Sequence, residues 1–442
     1  MKVLVTISLL ISVAISVPPL SVRRQNSGRN LPKGELHALL VAGSKGWYNY
    51  RHQANVAHAY HVLLEHGVPA KNIIVMMYDD IANHKLNPHK GKLFNKPNGP
   101  DVYSGLKIDY NGDAVSAENF LAVLKGDRDA VKGGNGRVIE SNENDRIFVY
   151  YTDLGATGLM AFPSGMLMAR QLNQALEEMH ENRKYSQMVF YLAACESGSI
   201  FKDLLSKKTN VYAVTSANEA ELEFATYCED ELELPCLGDE FSVNWMEDSD
   251  KQDISLETLD EQFEVAKGLT FQSEVSHYGN LSIADEPVGW FHSFRENTPN
   301  KGKNITQSYQ QRTSWSSRDV ELLYLQKLKQ LGLRPDTIDD EIFIAEENHS
   351  PIGQFFAILV YRIVHGQDLR ENVLFKRAGV TNYDCHEEVV RAFYTICSDF
   401  NKHDYALKYM FVLSNLCTTL DNSAIIIKAM NATCLKDRSH LF

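Results

Sequence analysis

The sequence predicts an α/β domain with a mostly parallel sheet flanked by helices, followed by an all-α bundle. Three observations carry this. Short apolar segments alternate with helical patterns from residue 37 to about residue 292. Those segments lack the in/out alternation of a half-exposed sheet, as strands covered on both faces do. Beyond residue 318 apolar residues recur at three-to-four spacing, as packed helices require.

In chain order, "MKVLVTISLLISVAIS" combines Lys2, an apolar run and the small residues Ala14 and Ser16. That pattern reads as a signal peptide over residues 1–16, with a short membrane anchor as the alternative; residues 17–35 form a short leader. The α/β domain takes residues 36–292. Its strands are "HALLVAGS", "KNIIVMMYDD", "RIFVYYTD", "QMVFYLAAC" and "NVYAVTSAN", and "NVAHAYHVLLEHG" is the first helix. Residues 293–318 are polar, without a sustained apolar period, and read as an exposed linker. The helical region, 319–442, contains "VELLYLQKLKQLG", "IGQFFAILVYRIVHG", "EEVVRAFYTIC", "YALKYMFVLSNLC" and "SAIIIKAMNATCL".

Composition narrows the function classes. The 442 residues are 44% apolar and 23% charged, as in packed domains. The net charge is −13 and basic residues are dispersed, which excludes a phosphate-binding stripe and argues against nucleic acid as a partner. Beyond the leader no segment offers the roughly 18–20 uninterrupted apolar residues of a membrane span, the best stretch being broken by Arg362. Sequons at Asn280, Asn304, Asn348 and Asn431 fit a secretory route. Seven cysteines divide into three pairs and one free thiol. Cys385, Cys397, Cys417 and Cys434 read as two disulfides in preference to a metal site, since no close Cys-x-x-Cys is present. Cys228 and Cys236 read as a local disulfide.

Chemistry concentrates where apolar strands end, the usual ligand edge of an α/β sheet. "YLAACESGS" places Cys195 at such an end, before a turn whose N–H groups can face an oxyanion. A buried core cysteine is the competing reading of the same position. "VYYTDLGATG" ends another strand in Leu154 and Gly155, a glycine turn where several hydrolase families place a catalytic residue.

Together "VAGSKGWYNYRHQA", "VMMYDD", "DVYSGLKIDYNGDAVSAENFLAVLKGD", "FYLAACESGS" and "LGDEFSVNWMEDSD" resemble the legumains. These are asparaginyl endopeptidases, caspase-related cysteine proteases of lysosomes and vacuoles, and the resemblance runs from about residue 36 to the C-terminus. It implies a caspase-like catalytic domain, a connecting activation peptide and a death-domain-like prodomain that lies over the active site as a lid. It implies peptide or protein substrates or inhibitors as partners, cleavage after Asn or after Asp at low pH, an acidic lysosome-like or secreted location, and no cofactor or metal.

Residue by residue, Cys195 stands at the nucleophile, Asn49 at the residue that orients the catalytic histidine, and Gly155 at the oxyanion glycine. Arg51, His52 and Asp239 stand at the substrate pocket. The histidine of the family pattern "TDHG" is Leu154 here. Leucine can neither take the thiol proton nor protonate the leaving amine, so the resemblance carries an expectation of lost or strongly impaired turnover. A working endopeptidase is the alternative, and a non-catalytic peptide- or inhibitor-binding protein a further one. The pocket departs as well: Ala193 replaces a glutamate, and Leu222-Glu223 a serine pair, so either Glu223 replaces the lost carboxylate or Asp239 alone pairs with Arg51. The resemblance further implies crossed disulfides, Cys385 with Cys417 and Cys397 with Cys434, and an acid-sensitive latch between Lys408 and Glu196.

Overall fold

The structure, a computed structural model, describes residues 33–229, 233–292, 312–400 and 403–434. The expected signal peptide, nearly all of the leader, residues 293–311 of the linker and the Asn304 sequon lie outside these residues. The first half of the α/β domain comprises β1 (Leu36–Ala42), α1 (Tyr50–Glu65), β2 (Ile73–Met76), α2 (Ala117–Lys125), β3 (Arg146–Thr152), the hairpin strands β4 (Leu159–Ala161) and β5 (Met166–Met168), α3 (Ala169–Glu181) and β6 (Gln187–Ala193). The second half comprises β7 (Val211–Thr215), β8 (Phe224–Thr226), β9 (Gly238–Asp239), α4 (Glu240–Ser249), α5 (Leu259–Leu269), β10 (Ser276–Gly279) and α6 (Gly289–His292).

The main sheet has the order β10-β7-β6-β3-β1-β2, parallel throughout except for β10 on one edge. Alternate residues of one strand face two separate cores. Leu36, Ala38 and Leu40 pack with α1, α4 and α5, while Leu39 and Val41 pack with α2 and α3. Burial on both faces explains the unbroken apolar runs. Because β3 and β6 are neighbours in register, with Thr152 opposite Ala193, their C-terminal ends deliver Leu154 and Cys195 side by side.

Residues 312–318, which their polar composition assigns to an exposed linker, are docked instead. β11 (Ser314–Ser316) pairs antiparallel with β8, which pairs with β9 in a small second sheet. The sheet edge supplies backbone partners that composition does not register.

The helical region contains α7 (Val320–Gln330), α8 (Ile338–Ile363), α9 (Gln367–Phe375), α10 (Tyr383–Ile396), α11 (Met410–Leu420) and α12 (Ser423–Cys434). α8 begins well before the apolar run at Ile352 and carries Pro351 inside it; Asp339, Asp340 and Glu341 in its first turn suit the positive end of the helix dipole. The structure joins Cys385 to Cys417, Cys397 to Cys434 and Cys228 to Cys236, leaving Cys195 as the free thiol.

Candidate active site

Cys195 lies two residues past the end of β6 and is 1% exposed. Its N–H donates to the Leu154 carbonyl at 3.0 Å, and its Sγ accepts from the Glu223 N–H at 3.4 Å. Burial pushes the thiol up to about 12, with Arg318 pulling the other way. Gly155 lies against this turn: at φ +58° a Cβ would meet the Ala194 side chain at 2.6 Å and the Cys195 carbonyl at 2.8 Å. Only glycine accepts that backbone at that separation.

Leu154 does not point into an open cleft. It is 6% exposed and belongs, with Ala156, Leu159 and Met168, to one apolar cluster with Phe355, Phe356 and Val389 of the helical region. A side chain at the place expected for a base is therefore part of the seam between the two regions. Beside it the buried Asp153 accepts from the Leu154 N–H at 2.6 Å and from the Tyr151 hydroxyl at 3.1 Å. Burial lifts its carboxyl to about 7 against those donors.

The pocket residues are brought together. Arg51 is fully buried; its Nε donates to Asp239 at 2.7 Å and its Nη1 to the Tyr48 carbonyl at 3.3 Å. Asp239 also accepts from Asn55 at 2.7 Å. Glu223 is buried nearby but neither carboxylate oxygen has a hydrogen-bond partner among the described residues. Burial, then the charge of Asp239, pushes Glu223 well above the carboxylate range; burial raises Asp239 too, but Arg51 and the hydrogen bonds it accepts from Arg51 and Asn55 pull it back, and it is Asp239 that pairs with Arg51. His52 hydrogen-bonds Ser44 at 2.6 Å through Nδ1 and stands 3.8 Å from both Asp153 and Asp239. Burial and then the cations Arg51 and Arg318 hold it well below the usual imidazole range, hence neutral. Asn49 donates its side-chain amide to the Lys45 carbonyl at 3.0 Å. The other early histidines serve structure: His58 bridges Asn95 and Asp250, and His61 bonds the Val102 carbonyl.

Three residues of the site carry no sequence motif. Arg318, just after β11, buries its guanidinium here: Nη2 donates to the Gly155 carbonyl and lies 3.8 Å from Glu196. The second is Arg377, which donates to the other oxygen of Glu196 and packs over the Phe411 ring. Lys408 instead bonds the Tyr405 hydroxyl at 2.6 Å, so the expected Lys408–Glu196 latch is replaced by two arginines. Arginine's planar fork reaches a buried carboxylate with several donors, where an ammonium brings a heavily hydrated point charge. The third is His386, whose Nε2 donates to the Thr157 carbonyl at 2.9 Å. Gly158 makes room for it, since a Cβ there would meet the imidazole at 3.0 Å.

These contacts set the acid response of the seam. Glu196 is pushed up by burial although both arginines pull it down, so its contribution to stability is present at low pH and is lost as pH rises through its folded value. Protonating Glu196 therefore does not destabilise the fold. His386 runs the opposite way. Burial lowers it to about 4, against the pull of the Thr157 carbonyl. Its contribution is present above about pH 6.5 and is lost as pH falls toward 4, with a ceiling of about 3 kcal/mol. His386→Gln is expected to flatten the fall in melting temperature between pH 6.5 and 4; a fall as steep as that of the parent chain would refute this role.

A parallel α/β sheet with a thiol at a strand end, closed by a helical region, defines a cysteine-peptidase scaffold with its prodomain in place. Residues 36–299 match the Peptidase C13 family and residues 356–434 the legumain prodomain. The chain is 40% identical to legumain of Rattus norvegicus over 411 residues, covering 91% of this chain and 93% of the relative. It is 41% identical to legumain of Mus musculus over 418 residues, covering 91% and 93%. Against the vacuolar-processing enzyme delta-isozyme of Arabidopsis thaliana it is 39% identical over 426 residues, covering 91% of each. The chain belongs to the peptidase C13, or legumain, family.

Proposed function

We propose that this member is a prodomain-bearing legumain-family protein whose peptidase site has lost most or all turnover and serves to bind peptide or protein ligands. The carrying observation is Leu154: the position of the base holds an apolar side chain packed into the seam with the prodomain. Burial pushes the Cys195 thiol up so that it stays protonated at acidic and neutral pH, and a leucine at that strand end can neither take its proton nor protonate a leaving amine. In this reading Cys195, Asn49 and Gly155 are remnants of the catalytic group, and Arg51, His52 and Asp239 hold what remains of the substrate pocket. The prodomain is its own lid. A secretory route ending in an acidic compartment or outside the cell, with glycans at Asn280, Asn304, Asn348 and Asn431, completes it. Among the described residues no helix is long and apolar enough to cross a membrane.

The test is hydrolysis of an Ala-Ala-Asn reporter at about pH 5 by the whole chain, with Cys195→Ser as the blank. Turnover indistinguishable from the blank is expected. Turnover matching a rat or mouse legumain run in parallel would overturn the reading.

A further inference from the structure

The occupant of the site is the clearest unexplained feature. Residues 314–316 extend the edge of β8, and the Ser317 N–H continues the ladder to the carbonyl of Glu223 at 3.1 Å, the same residue whose N–H holds Cys195 Sγ. The next side chain, Arg318, is 6% exposed and enters the space bounded by Gly155, Cys195 and Glu196. This is an extended segment added to a sheet edge, with backbone bonds setting register and one side chain read by a pocket.

That pocket is built for a cation. Glu196 and Asp153 are each 1% exposed, and their charges reach the guanidinium together with that of Asp404. With a neutral side chain there, Arg377 alone would compensate Glu196, and burial would drive Asp153 further toward its protonated form. The resident is also poorly secured. Arg318 makes one side-chain hydrogen bond, and its Nε and Nη1 have no partner among the described residues. An integral brace would satisfy its buried donors. Arg377 and Asp404 belong to the prodomain; when it leaves, Glu196 loses one arginine and is free for another, while Asp153 and the Gly155 carbonyl remain.

We propose that the groove formed by the β8 edge and the strand ends at Cys195 is a receptor for extended peptides presenting an arginine, which displace residues 314–318 and place their guanidinium where Arg318 now lies. This deepens the ligand-binding reading above and rests on it. It assigns a basic side chain to the space beside Cys195 and Glu196, in addition to the Arg51–Asp239 pocket that the family resemblance links to Asn.

The experiment uses the full chain carrying Arg318→Ala, with its fold checked by thermal melting, and a fluorescent peptide copying residues 313–320. Anisotropy titrations compare that peptide with a version bearing Asn in place of its arginine. The arginine peptide is expected to bind at least tenfold more tightly. Adding Glu196→Gln should weaken it by about tenfold and leave the Asn peptide unchanged. Arg318→Lys, which keeps a resident cation, should take up less peptide than Arg318→Ala. Equal or tighter binding of the Asn peptide, or no binding of either, would overturn the proposal. The reporter assay is independent: hydrolysis there removes the inactive reading and leaves the arginine preference standing, whereas equal peptide affinities remove only the preference.

Discussion

Leu154→His is expected to raise hydrolysis by about 10²–10⁴-fold over the parent chain, the usual contribution of a positioned general acid–base. The scaffold for the imidazole is in place: β3 and β6 pair in register, Gly155 keeps its close approach to Cys195, and Asp153 lies one residue away. An imidazole at that strand end would take the Cys195 proton and return it to the leaving amine. The substitution also has a stability cost. Leu154 is buried in the apolar seam with Phe355 and Phe356, and a polar ring there should loosen the prodomain by about 2 kcal/mol. Both effects are read together, as initial rates at about pH 5 on Asn and Arg reporters and as melting temperature at neutral pH. A variant that melts lower yet hydrolyses neither reporter faster than its parent would show that the missing base is not the limiting defect.

The second large effect is expected from Arg318→Glu. It removes the cation from a space shared with Glu196, Asp153 and Asp404 and adds a carboxylate. Breaking a buried ion pair on one side typically costs about 3–5 kcal/mol, and here a second carboxylate takes the place of the cation, with only Arg377 left to compensate Glu196. Denaturant midpoints should fall accordingly, and limited proteolysis should reach residues 312–318 far sooner. Arg318→Lys should lose much less. A glutamate variant with an unchanged midpoint would show that the guanidinium contributes nothing to holding the segment.

Much of this was legible in the chain. Unalternating apolar runs announced strands covered on both faces, and three-to-four spacing announced the helices. Cys195 and Leu154 stood out because each ends such a run before small residues. Arg51 and Asp239 lie 188 positions apart and were joined only through the family resemblance; the buried 2.7 Å contact is a product of folding. Arg318 was hidden in a polar stretch, since a strand of Ser and Trp that draws its stability from a neighbour's backbone leaves no periodic mark. Arg377, not Lys408, reaches Glu196, and no sequence spacing distinguishes them. The choice of carboxylate beside Arg51 was likewise open until the fold placed Asp239 in hydrogen-bond contact and left Glu223 without one.

The residues alone determined the order of layers, the thiol, the leucine after β3 and the family. These depend on side-chain identity and on periodicity along the chain, which are local quantities. Tertiary structure decided which cation fills the site, which groups hold the prodomain down, and that Leu154 is a packing residue of the seam. Those outcomes depend on burial and on charges brought close from distant segments, where a shift of a few ångströms decides whether a carboxylate is paired, protonated or orphaned.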